Sequence, residues 1–378
     1  MTIYEKMNIA LSGWIIHKVG MIDKYRYLVI GQWSNDDEKT PYEAKDGKKY
    51  DHPTRMFCID LQSNKIIWNT SLDGWSHGYC DGGTTRDNKV ALFGSYNGIT
   101  YYLDYKADTF EHEDLLMSDE MFKKGLGGGI DNLRFIGNHF YTIDTGNELY
   151  RREDRHKWTL LTPDAKEYAQ KFATTSDDDE YGIYSGDVGG LDGYSEDEIY
   201  FGGDKANLWY FDGKESHKIF HLPKEGANFE DVLCCEDGKV YAIDHNGRGV
   251  AVGRHNNFAY IPMQKDDPVK GTLIYDAAHY NGKIYAANGN LMVFDGKRWH
   301  DAGIKGVYGN VEHLAAKDGM LFIATPWSLH IYNGKESITL YGEERADAKL
   351  ILDSFLDAGI GLIESSNALL DTVDTMQR

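Results

Sequence analysis

Apolar residues in this chain come in short runs, and the residues between the runs are of the type that turns a backbone. In residues 310–335, Leu314-Ala315-Ala316 is followed by Asp318-Gly319, then by Met320-Leu321-Phe322-Ile323-Ala324. Thr325-Pro326-Trp327 breaks that run, Leu329-His330-Ile331-Tyr332 is the next, and Asn333-Gly334-Lys335 turns again. Asp-Gly and Asn-Gly accept the positive φ that tight hairpins require, so the pattern predicts antiparallel strands joined by short turns.

The unit recurs with drift. An opening residue, usually acidic, is followed about ten positions later by an aromatic or aliphatic residue in the second strand. Glu312 leads to Phe322, Asp231 to Tyr241, Asp131 to Tyr141, Asp276 to Tyr285, Asp81 to Ala91, His17 to Tyr27 and Asp187 to Tyr200. Asp353 to Ile363 fits as an eighth copy. The outer half repeats as well: Phe211-Asp212-Gly213-Lys214, Phe294-Asp295-Gly296-Lys297 and Tyr332-Asn333-Gly334-Lys335 each end a third strand, and a short fourth strand follows. Four antiparallel strands per roughly 45 residues are the blades of a propeller.

On these repeats the chain resembles the β-propeller superfamily over nearly its whole length. The Gly-His and Trp-Asp marks of WD repeats and the regular double glycines of kelch blades are missing. The expectation is an all-β, single-domain propeller over 1–378 with eight four-stranded blades. The N-terminal segment Thr2-Ile3-Tyr4 is expected to supply the last blade's fourth strand and so close the ring. The alternative is seven blades with a helical tail at 345–378. Residues 34–54 and 163–181 are expected to be loop insertions.

Composition changes the picture mainly through charge. Formal net charge is −20, from 60 Asp and Glu against 40 Lys and Arg. That excess argues against nucleic acid and anionic membrane surfaces, and it suits a basic protein partner. No stretch reaches the roughly 18 apolar residues of a membrane span. Cys58, Cys80, Cys234 and Cys235 have no metal-ligand spacing and are read as reduced thiols of a monomeric cytoplasmic protein.

The propeller resemblance implies that the openers His17, Asp81, Asp131, Asp187, Asp231, Asp276, Glu312 and Asp353 gather near one mouth of a channel. Trp75 and His77, in a loop leading into a first strand, share that rim, as do Asp144, Asp204, Asp244, His245, Asn288 and Trp327. Converging acids raise one another's proton affinity unless something offsets them. They can cap backbone N–H groups or pair with a neighbouring blade's Lys or Arg. They can receive a partner's Lys and Arg side chains, or hold Ca²⁺, which takes six to eight oxygens. No zinc-protease signature is present, and Gly125–Gly129 lacks the Lys-Ser/Thr of a phosphate loop. The expectation is therefore a non-enzymatic propeller that captures a basic protein, such as an immunity or inhibitor protein against a nuclease toxin. The alternative is a calcium-dependent hydrolase like the lactonase and phosphotriesterase propellers.

Overall fold

A computed structural model describes residues 1–33, 42–43, 49–50, 54–72, 82–85, 90–94, 100–104, 109–113, 130–144, 148–162, 189–203, 207–222, 227–307 and 309–342. The chain divides into two compact units, one of residues 1–73 with 275–378 and one of residues 74–274.

The first unit begins with helix α1 (Ile3–Leu11). Its first sheet joins β1 (Trp14–Asp23), β2 (Arg26–Trp33), β5 (Thr54–Asp60) and β6 (Lys65–Leu72). A two-stranded ribbon, β3 (Tyr42–Glu43) with β4 (Lys49–Tyr50), lies within the expected 34–54 insertion. The unit's other sheets are β23 (Asp276–Tyr280), β24 (Lys283–Ala287), β25 (Leu291–Phe294) and β26 (Trp299–Asp301), then β27 (His313–Lys317), β28 (Met320–Thr325), β29 (Ser328–Tyr332) and β30 (Ser337–Tyr341).

Among the described residues the second unit holds four more sheets in the same consecutive order: β7 (Gly82–Thr84) to β10 (Thr109–Glu113), β11 (Ile130–Ile136) to β14 (Lys157–Leu160), β15 (Leu191–Ser195) to β18 (Ser216–Phe220), and β19 (Phe229–Cys234) to β22 (Asn257–Pro262). Within each unit the first strands of successive sheets lie side by side, β23 beside β27 and β27 beside β1, β11 beside β15 and β15 beside β19.

The turns follow from the sequence. Asn281-Gly282 and Asp318-Gly319 both have positive φ at both positions, the mirror-image turn that matches strand twist. The outer turns are closed by a side chain. Asp212 Oδ1 accepts from the N–H groups of Lys214 and Glu215, each at 2.9 Å. Asp295 Oδ1 accepts from Lys297 and Arg298 at 2.8 Å, and Asn333 Oδ1 from Lys335 and Glu336 at 3.0 Å. That is why Asp or Asn recurs before Gly-Lys in three copies.

The N-terminus corrects one expectation. Thr2-Ile3-Tyr4 is no closing strand: Thr2 Oγ1 accepts the N–H of Glu5 at 3.3 Å and Glu5 Oε2 accepts that of Thr2 at 2.7 Å, which starts α1. Ile3, Tyr4, Met7, Ala10 and Leu11 then fall on one helical face. They pack with Phe57, Ile59, Leu329, Ile331 and Leu340 of two sheets. Burial of Ile3, Met7 and Leu11 contributes about 1.5–3 kcal/mol each. With that segment helical, the eight-bladed ring loses the strand meant to complete it. The eighth opener Asp353, the tail 345–378 and the insertion 163–181 lie outside the described residues.

Candidate functional site

In the first unit, β23, β27 and β1 bring four polar side chains together. Register shifts between Ile16 and Lys18, so His17 is the extra residue of a bulge in β1. Lys18 Nζ lies 3.3 Å from Asp276 Oδ2 at the start of β23. The same oxygen accepts the N–H of Leu314 in β27 at 3.0 Å, and His313 Nδ1 is 3.7 Å away. The His17 and His313 rings meet edge to face at 6.2 Å.

These contacts set the charges. Burial alone would push the Asp276 carboxyl up, but Lys18, His313 and the Leu314 N–H hold it below the usual carboxylate range. His17 is pulled down to about 4, first by burial and then by His313 and Lys18. At neutral pH the cluster holds an anion matched to a cation, beside a neutral imidazole. Of the expected ring, Asp276 is thus an internal tie between sheets rather than a group facing outward. Glu312 follows Asn310, whose side-chain amide donates to its carboxylate. Nearby, the Pro326 carbonyl accepts the N–H of Ile16 at 2.9 Å, which places the β28–β29 turn beside β1. Trp327 stands on that turn, 54% exposed.

In the second unit, Asp231 pairs with Ile243, and the bulge beside it falls on Glu230. Glu230 Oε2 is 2.6 Å from His245 Nδ1, and Asn228 Nδ2 donates to Glu230 Oε1 at 3.2 Å. Burial pulls the His245 imidazole down, but the bond to Glu230 and its charge outweigh it, and the net shift is upward. Asp244, expected on the rim, is buried and accepts the N–H groups of Asn228, Asn246 and Arg248 at 2.9–3.1 Å. It organises the loop. Asp131 occupies the bulge position of β11. Trp75, His77, Asp81, Asp187 and Asp353 lie outside the described residues.

Counting from opener to second strand selected Asp231 and Glu312, but their chain neighbours Glu230 and His313 make the charged contacts described above. At Glu230 a bulge in β19 shifts the position by one residue, and no count along the sequence reveals where it falls; β27 pairs with β28 without a bulge, and its strand starts at His313, one residue after the counted Glu312. Asp192 was also missed. In β15 it accepts the N–H of Cys234 in β19 at 2.7 Å, the same sheet-to-sheet tie that Asp276 makes to β27.

Among the described residues no three His, Cys, Asp or Glu side chains are grouped to hold a metal ion, and no helix is long and apolar enough to cross a membrane. Cys58, Cys234 and Cys235 carry no disulfide, and burial pushes all three thiols up.

No protein-family model matches the chain, and no curated protein matches its sequence. Solved structures do match. The β-propeller domain of Cps50 (Swd1) from Myceliophteria thermophila aligns over 84% of this chain and 97% of its own, with a TM-score of 0.56 and 11% identity. YCF48 bound to a D1 peptide aligns over 82% and 90%, with 0.52 and 12%. Virginiamycin B lyase from Staphylococcus aureus aligns over 79% and 96%, with 0.52 and 10%. The chain is a β-propeller of four-stranded antiparallel blades. Its neighbours include a peptide complex and a lyase, so the fold leaves the function to be argued from the side chains.

Proposed function

We propose that this propeller is a non-enzymatic protein-binding module that takes up a basic protein partner on acidic side chains. One biological form is an immunity or inhibitor protein that neutralises a basic toxin such as a nuclease. The observation that carries this reading is the acid excess, 60 Asp and Glu against 40 Lys and Arg. A field of that sign speeds encounter with a basic surface and repels nucleic acid. Trp327 supports the reading as an exposed aromatic anchor on a turn whose base is fixed: the Trp327 N–H donates to Thr325 Oγ1 at 3.2 Å. YCF48, a propeller of the same fold, was solved with a peptide bound, so the scaffold accommodates such ligands.

The test is capture from the native host on the immobilised full chain, at about 50 mM and about 500 mM salt. The expected result is one basic protein retained at low salt in stoichiometric amount and depleted at high salt. Retention of no basic protein at low salt overturns the proposal.

A further inference from the structure

One pocket of this acidic chain is basic. It lies between α1 and the outer strands of the first sheet, with a volume of about 420 Å³. Met1, Lys6, Ile9 and Ala10 line one side; Arg55, Lys65 and Ile66 line the other. Three of these seven residues are cations and none is an acid, against the chain's overall excess of acid.

Two of the cations are held in place by the backbone. Lys6 Nζ donates to the Asn64 carbonyl at 2.5 Å, and Arg55 Nη1 donates to the Ala10 carbonyl at 2.6 Å. The Arg55 guanidinium also stacks 4.1 Å from the centre of the Trp14 ring. Lys65 stands exposed in the lining. The acids closest in sequence are turned to other work: Glu5 Oε2 caps the start of α1, and Asp60 Oδ1 accepts the N–H of Ser63 at 2.9 Å. The remaining wall is hydrocarbon. Ile9 is 63% exposed and Met1 72%, so an apolar occupant removes their surface from water.

We propose that this pocket binds a small apolar carboxylic acid, its carboxylate between Lys65 and Lys6 and its hydrocarbon body against Ile9, Ile66 and Met1. Both halves of the ligand are required by the lining. A bare anion leaves the apolar wall wet, and a bare hydrocarbon leaves the lysines unmatched. The volume falls in the range of roughly 300–1,000 Å³ common to small-molecule sites. This site stands apart from the acidic side chains invoked for a basic partner, and either proposal survives the failure of the other.

Titration calorimetry and saturation-transfer NMR on the full chain, with hexanoate at low salt, test it. The expected result is saturable one-site binding with Kd about 1 mM, as suits so small a ligand. Hexanol, the body without the charge, and acetate, the charge without the body, each bind at least about tenfold more weakly. Lys65→Glu, at an exposed position, weakens hexanoate about tenfold with an unchanged melting temperature. Lys6→Gln weakens it about threefold. Unsaturable binding, equal binding of hexanol, or a Lys65→Glu variant that binds hexanoate as the parent does would each overturn the assignment.

Discussion

Asp276 offers the sharpest test of how the first strands are tied together. Its side chain is 8% exposed, and it neutralises Lys18, which is 26% exposed, while accepting the Leu314 N–H from the next sheet. Removing one partner of a buried ion pair costs about 3–5 kcal/mol, because the other charge is left stranded. Lys18 is only partly buried and can turn toward water, so Asp276→Ala belongs at the low end, about 3 kcal/mol, most of it from the Leu314 N–H and the lost pairing. Asp276→Asn keeps an oxygen for Leu314 and loses only the charge, and is expected to cost about 1–2 kcal/mol. Lys18→Met leaves a buried carboxylate with only His313 and one N–H, at about 2–3 kcal/mol.

The double variant Asp276→Asn with Lys18→Met strands neither charge. Its cost is therefore expected to fall below the sum of the singles by at least about 1 kcal/mol. Urea unfolding of the full chain, followed by both tryptophan fluorescence and far-UV circular dichroism, reads these values and shows whether the transition is two-state. The Asp276 carboxyl is lowered in the fold, so its stabilisation is present above the unfolded carboxylate range and is lost as pH falls through the folded value. Additive singles, or an Asp276→Ala cost under about 1 kcal/mol, would refute the tie.

Two further outcomes are expected. His17 and His330 are both lowered to about 4, with burial as the first cause. The unfolded chain therefore takes up two protons between pH 6.5 and 4 that the folded chain refuses, and stability falls with pH across that window by up to about 3 kcal/mol per residue. His245 is raised and works against this trend, so His17→Asn with His330→Gln should flatten the stability profile between pH 7 and 4.5; an unchanged slope counts against the assignment. Glycine substitutions should split by surroundings. At Gly282, φ is +72° and a Cβ meets nothing within 4 Å, so Gly282→Ala costs about 1 kcal/mol in thermal unfolding. At Gly247, φ is +61° and a Cβ would sit 2.3 Å from the Val269 carbonyl and 2.4 Å from that of Thr272, so Gly247→Ala costs at least about 3 kcal/mol; equal costs would refute the distinction.

The strands and their turns were legible because each is decided locally. Asn281-Gly282 and Asp318-Gly319 turn as their dipeptides dictate, and Asp212, Asp295 and Asn333 close their loops with their own side chains. The N-terminus is equally local, and its signal is helical. Thr2 and Glu5 stand at capping-box spacing, and Ile3, Tyr4, Met7, Ala10 and Leu11 keep helical period, which a strand closing the ring does not accommodate. The site was less legible, since it depends on which residue a bulge pushes inward and on which cation of a distant strand arrives. Lys18 and Asp276 are 258 residues apart, and nothing local in either stretch announces the pair.

The internal pairs also bear on the acid excess. Asp276 with Lys18, Asp23 with Arg26, Glu198 with Arg254 and Glu153 with Arg151 each remove one charge of either sign. However many such pairs form, the surplus of 20 acids in the sequence is unchanged. Long-range attraction for a basic partner thus follows from composition and tolerates substitution at any one acid. The place and strength of docking do not follow from it, because an exposed carboxylate contributes little alone. They depend on groups with fixed position and apolar area, and Trp327 on its anchored turn is of that kind. On this reading, single acid-to-amide changes slow association slightly and add up, whereas loss of the indole acts on dissociation.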